Sequence, residues 1–175
     1  ILKHATFAQR AAWMNAAADV LEGEAESTAA MLTLEMGKTL AAAKQEVAKC
    51  ATACRYYAEH AEQFLADEPA DASGVGAANA YVSYQPLGPV LAIMPWNFPL
   101  WQAMRFAAPA LMAGNTGLLK HASNVPQTAL YMGELFARAG FPVPEGFVVT
   151  DESDEAVSEA DRMLRGVPLA VRSSA

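Results

Sequence analysis

Two short segments concentrate the side chains that could do chemistry. The first is Pro95–Trp96–Asn97–Phe98–Pro99, a loop fixed by two prolines. The Asn97 amide can donate two hydrogen bonds and stays neutral. That suits it to holding an oxygen on which negative charge develops, where a preorganised donor contributes a few kcal/mol. The alternative is an asparagine that satisfies its own turn backbone. Trp96 could wall a flat ligand or simply pack. The second segment is Lys120–His121–Ala122–Ser123–Asn124. A lysine at a strand end can reach polar ligand groups, or it can be an ordinary exposed lysine. Ser123 or Asn124 can cap a following helix, whose N-terminus favours anions. Cys50 and Cys54 lie four apart on one helix face, a spacing too long for an easy disulfide. They read as small buried apolar residues in a reducing compartment. A metal site there would need more ligands than the nearby His60.

The elements that position these residues follow from periodicity. Phe7 to about Glu26 repeats apolar residues at helical spacing through Trp13, Ala17, Val20 and Leu21. Thr28 to Met36 reads as a second helix stopped by Gly37, and Leu40 to about Ala66 as a third. Pro69 to Asn79 reads as a loop. Tyr81 to Tyr84 alternates like a strand. Val90 to Met94 is wholly apolar, as in a strand buried on both faces of a parallel sheet. Leu100 to Met112 is helical, Thr116 to Lys120 is a second strand, and Pro126 to about Arg138 is a helix stopped by Gly140.

Strand, helix, strand, helix predicts a parallel α/β unit behind a helical front. Right-handed crossovers place both loops at the carboxyl edge of the sheet, where ligands of open α/β sheets bind. The segments 95–99 and 120–124 are therefore expected to line one crevice. No dinucleotide fingerprint rich in glycine follows the first strand, and no GxxxxGK[ST] loop exists.

Composition narrows the classes. The 175 residues are 53% hydrophobic and 18% charged, a folding composition, with net charge −7. Such a chain repels nucleic-acid backbones. No apolar run is long enough to span a bilayer. With no secretory pattern at the start, the expected location is cytoplasmic. The chain opens at Ile1 without Met, which reads as a fragment or processed form.

Several motifs in order resemble the aldehyde dehydrogenase superfamily, in the manner of bacterial succinate-semialdehyde dehydrogenases. They are Leu34–Glu35–Met36–Gly37–Lys38, Tyr84–Gln85–Pro86–Leu87–Gly88–Pro89–Val90, Met94–Pro95–Trp96–Asn97–Phe98–Pro99, Pro109 to Asn115, Leu119–Lys120 and Ala139–Gly140–Phe141–Pro142. The resemblance covers residues 1 to about 142. It implies an α/β fold with a helical N-terminal region followed by part of a Rossmann-like parallel sheet, truncated. It implies oxidation of a semialdehyde-like substrate with NADP or NAD, and a homo-oligomer or self-associating chain. By the same resemblance Asn97 is the oxyanion donor, and Trp96, Asn97, Lys120, His121, Ala122 and Ser123 are cofactor-binding positions. Many NAD-using members carry a glutamate where Ser123 stands. A serine can donate to a 2′-phosphate that a carboxylate would repel, which points to NADP. His121 replaces the family's usual proline.

The family's cysteine nucleophile, general-base glutamate and pyrophosphate-binding turn belong to a later segment absent here. The chain is thus expected to be catalytically incomplete, with marginal stability and exposed apolar strands. Pro142 to Thr150 and Leu169 to Ala175 resemble the ATP-grasp domain of phosphoenolpyruvate synthase and pyruvate phosphate dikinase, with Arg172 at the phosphate-contacting position. Residues 143–175 accordingly read as an unrelated tail joined in a chimaera or rearranged fragment; the alternative is a strand, an acidic helix and a strand that finish the sheet. A non-catalytic binding or assembly fragment and a phosphotransferase fragment are the alternatives.

Overall fold

The computed structural model describes residues 2–74, 76–142 and 147–150. Three helices form the front: α1 (Phe7–Gly23), α2 (Ala25–Met36) and α3 (Leu40–Phe64). Thr6 starts α1 through a reciprocal capping box. Its hydroxyl accepts from the Gln9 N–H at 3.2 Å, and the Gln9 side chain accepts from the Thr6 N–H at 2.9 Å. The first helix ends at Gly23, three residues earlier than periodicity predicts, and α2 begins at Ala25. Glycine costs about 1 kcal/mol in a helix interior. The junction residue Glu24 turns its carboxylate to Arg138 and Tyr131 on a distant helix. Tertiary pairing therefore decides where the first helix stops.

The third helix buries Ala43, Val47, Cys50, Ala51 and Cys54 against its neighbours. Cys54 Sγ lies 3.4 Å from Met104 Sδ. Both thiols are free and buried. Burial raises the Cys50 thiol well above its ordinary range and pushes Cys54 up to about 12.

A hairpin follows. The strands β1 (Glu68–Ala70) and β2 (Ala80–Val82) pair antiparallel, with Pro69 opposite Tyr81. The sequence predicts a loop at residues 69 and 70, because a three-residue strand containing Pro and Ala carries no β pattern. The pairing comes from β2, and Tyr84 Oη donates to Glu68 at 2.6 Å.

The parallel unit is β3 (Pro89–Ile93), α4 (Pro99–Met112), β4 (Thr116–Lys120), α5 (Pro126–Arg138) and β5 (Phe147–Thr150), with strand order β3-β4-β5. Ile93 pairs with Lys120, and Lys120 with Thr150. The Gly88 N–H donates to Asn115 Oδ1 at 3.1 Å, which fastens the starts of β3 and β4 together. Gly117 permits the sheet to close on β5. A Cβ there would stand 2.6 Å from the Phe147 ring.

The expected two-sided burial of the first strand is wrong for β3. Ala92 is buried, but Leu91 is 50% and Ile93 71% exposed. An apolar run reports affinity for a core, not which neighbours cover each face. The tail strand β5 joins the same sheet, whereas Asp151–Val167 and Leu169–Ala175, with Arg172, lie outside the described residues.

Candidate cofactor-binding site

The two loops meet at the carboxyl edge of β3 and β4. Beyond the last strand pair, the Met94 N–H donates to the Lys120 carbonyl at 3.1 Å. The loops are tied a second time through His121. Its Nδ1 accepts from the Ala122 N–H at 2.8 Å, so Nε2 carries the proton and donates to the Pro99 carbonyl at 2.9 Å. His121 is 6% exposed and both ring nitrogens are engaged. Its ring therefore joins the two loops and has no nitrogen left for a ligand.

Burial lowers the His121 pKa below its ordinary 6.5, against the smaller opposing pulls of the Pro99 carbonyl and the Glu35 carboxylate. The unfolded chain then takes up a proton before the native chain does. The stability tied to the neutral ring is complete above pH 6.5 and declines as pH falls below it. Urea unfolding of wild type and His121→Gln across that range should give a steeper pH slope for wild type. Equal slopes would show that the ring titrates alike in both states.

Around this tie the loop residues are open. Pro95, Trp96, Asn97 and Phe98 are exposed, as are Ser123 and Asn124, while Ala122 and Lys120 are half-buried. Among the described residues the Asn97 side chain makes no hydrogen bond to its own turn, and Ser123 and Asn124 do not cap α5. The helix N-cap is Val125, without a side-chain bond.

The cap comes instead from the helical front. Glu35 accepts from the Gln127 N–H at 2.5 Å, the Thr128 N–H at 2.8 Å and the Thr128 hydroxyl at 2.5 Å. The start of α4, whose N-cap is Phe98, is likewise served from outside. Glu46 Oε1 accepts from the Trp101 N–H at 2.9 Å, and Oε2 pairs with Lys38. The Lys38 ammonium also sits 4.3 Å from the Phe98 ring centroid. At the other end of α4, the buried Arg10 donates through Nε to the Met112 carbonyl at 2.9 Å and through Nη1 to Ala5. The starts of α4 and α5 thus meet carboxylates and the end of α4 a guanidinium, the charges that complement the helix dipole.

Sequence reasoning missed these supports. One signal was legible for Glu46: it interrupts the apolar stripe of Ala43, Val47, Cys50 and Cys54 with a carboxylate. Among the described residues no group of three or more His, Cys, Asp or Glu could hold a metal. No described helix is long and apolar enough to cross a membrane.

An open parallel sheet whose first two loops meet at one carboxyl edge, braced by a helical layer, defines an α/β protein with part of a Rossmann-like sheet. The chain belongs to the aldehyde dehydrogenase family, whose profile matches residues 2–161 and so runs through β5 and past the expected boundary at 142. It is 72% identical over 137 residues to a succinate-semialdehyde dehydrogenase (NADP+) of Mycobacterium avium, covering 78% of this chain and 29% of the relative. A Mycobacterium tuberculosis succinate-semialdehyde dehydrogenase (NADP+) 1 is 71% identical over 140 residues, covering 80% and 31%. The solved succinic semialdehyde dehydrogenase of Streptococcus pyogenes, in complex with NADP+, superposes with TM-score 0.81 at 33% identity, covering 90% of this chain and 34% of that one. The chain therefore spans about a third or less of the length of these relatives.

Proposed function

We propose that this segment forms part of the NADP-binding bed and supplies the oxyanion donor of an aldehyde dehydrogenase acting on a succinate-semialdehyde-like substrate. The observation that supports the reading is the meeting of two loops: the Trp96–Asn97 loop and the Lys120–Ser123 loop are bridged at one sheet edge, with a serine and no carboxylate three residues beyond Lys120. The names of the Mycobacterium relatives and the NADP+ complex of the solved homologue support the same choice.

The residues fit one end of the cofactor. The Lys120 ammonium and Ser123 hydroxyl can both donate to a ribose 2′-phosphate. Trp96 offers an exposed ring and main chain on the nicotinamide side. The first turns of α4 and α5, the usual seats for a pyrophosphate, already hold Glu46 and Glu35. Two carboxylates there would repel a pyrophosphate, so this group must be held by other parts of the fold. When bound, NADP supplies the acceptor for the hydride leaving the aldehyde carbon. Asn97 would donate to the aldehyde oxygen as charge develops on it.

Neither cysteine suits the nucleophile's role. Cys50 and Cys54 are buried in the helical front and held as thiols. Turnover is accordingly assigned to the family's larger assembly, and this chain to cofactor and oxyanion binding in the cytoplasm. Self-association would cover the exposed side of β3.

Titration of the 175-residue chain with NADPH and NADH tests the reading. Wild type should favour NADPH. Lys120→Met should weaken NADPH about tenfold, the equivalent of ~1.4 kcal/mol. Ser123→Glu should invert the preference by setting a carboxylate against the 2′-phosphate. Failure of wild type to bind either nucleotide would overturn the proposal.

A further inference from the structure

Glu35 and Lys38 stand at the two ends of one turn, and each serves a different one of the two loops. Glu35 closes three donors at the start of α5, directly after the Lys120–Ser123 loop. Lys38 completes the buried Glu46 cap at the start of α4 and covers Phe98, directly after Asn97. Neither helix has a side-chain cap of its own. The turn between the two residues is made by Gly37 at φ +78°, where a side chain would be strained, with its N–H donating to the Thr33 carbonyl at 3.0 Å.

We infer that the Glu35–Lys38 turn is a positioning strap that sets the spacing between the Asn97 loop and the Lys120 loop. The physical basis is that α4 and α5 also meet at this edge through the β3–β4 pairing, the Met94–Lys120 bond and His121, but among the described residues the Glu35–Lys38 turn reaches the first residues of both helices at once. A strap gripping both helix starts from one rigid turn removes the remaining freedom of one loop against the other. The role of that spacing in nucleotide binding rests on the NADP reading above; the strap itself does not.

Two readouts separate these claims. Nitroxide labels at Asn97→Cys and Asn124→Cys report the loop spacing without nucleotide, since the native thiols are buried. The parent chain should give one narrow distance distribution. Glu35→Ala and Lys38→Met should each broaden it at a temperature where circular dichroism shows every variant folded, and Glu35→Asp should restore much of the narrowing. Unchanged distributions in both variants would overturn the strap. Amide exchange locates the effect. Glu35→Ala should speed exchange at Gln127 and Thr128 at least tenfold and leave Trp101 alone, and Lys38→Met should do the reverse. Equal acceleration at all three sites would mark global loosening and also count against the strap.

Nucleotide titration of the unlabelled chain then tests its purpose. Glu35→Ala should weaken NADPH about tenfold and NADH about twofold, because the displaced loop carries the 2′-phosphate donors. An equal loss for both nucleotides would show Glu35 to be merely structural. If the parent binds neither nucleotide, the NADP reading fails and the distance and exchange measurements still decide the strap.

Discussion

Glu46→Ala is expected to lower folding stability by about 3–5 kcal/mol, the cost of breaking a buried ion pair by removing one partner. The Glu46 side chain is 1% exposed and that of Lys38 is 9%. Truncation leaves the ammonium buried without its carboxylate and the Trp101 N–H without its acceptor. Small domains are stable by only about 5–15 kcal/mol, so the loss approaches the whole margin. Glu46→Gln keeps an acceptor for Trp101 and should cost less. The double variant Lys38→Met/Glu46→Leu removes both charges and replaces them with apolar volume. It should recover much of the loss, because a buried pair offsets little more than its own desolvation. Urea unfolding of the three variants measures this. A loss below about 1 kcal/mol in Glu46→Ala would mean the pair is effectively solvated.

Phe136→Ala should cost a similar amount, about 3–5 kcal/mol for a large aromatic removed from a packed core. Phe136 is 1% exposed, meets Phe141 edge-on at 5.4 Å and lies 4.8 Å from Phe147. Phe141 in turn lies 5.5 Å from Trp13. This run of rings joins α1, the exit of α5 and β5. Ring pairs of this kind add ~0.5–1.5 kcal/mol each beyond burial, so the deletion loses two contacts and leaves a cavity. The strand β5 should loosen first, because Phe147 is one of those two partners. Thermal melts and amide exchange along β5 check both parts. Retained protection of β5 in a destabilised variant would show that the strand is held by its backbone pairing alone.

Much of the loop arrangement was legible in the chain. The short apolar runs, the prolines around Trp96–Asn97 and the Pro126 helix start define strand–loop–helix units by local rules. The right-handed crossover then leaves one arrangement, with both loops on one edge. The pairing of Ile93 with Lys120 agrees with it.

Local rules failed where the deciding partner was distant in sequence. Ser123 and Asn124 are good cap residues, yet the cap of α5 is Glu35, more than ninety residues away. The helix break at Gly23, the β1 strand and the exposed face of β3 were all set by what packs, or does not pack, beside them. His121 reads as a loop residue and is a buried tie between loops.

Residue order alone determined most of the periodic elements, because each depends on neighbours within a turn or two of chain, and the handedness of the crossover then fixed the parallel topology. Tertiary structure decided which charges neutralise which helix ends and which strand face stays open. Those outcomes depend on three-dimensional proximity, and a carboxylate carries no mark in the sequence of the helix it will reach.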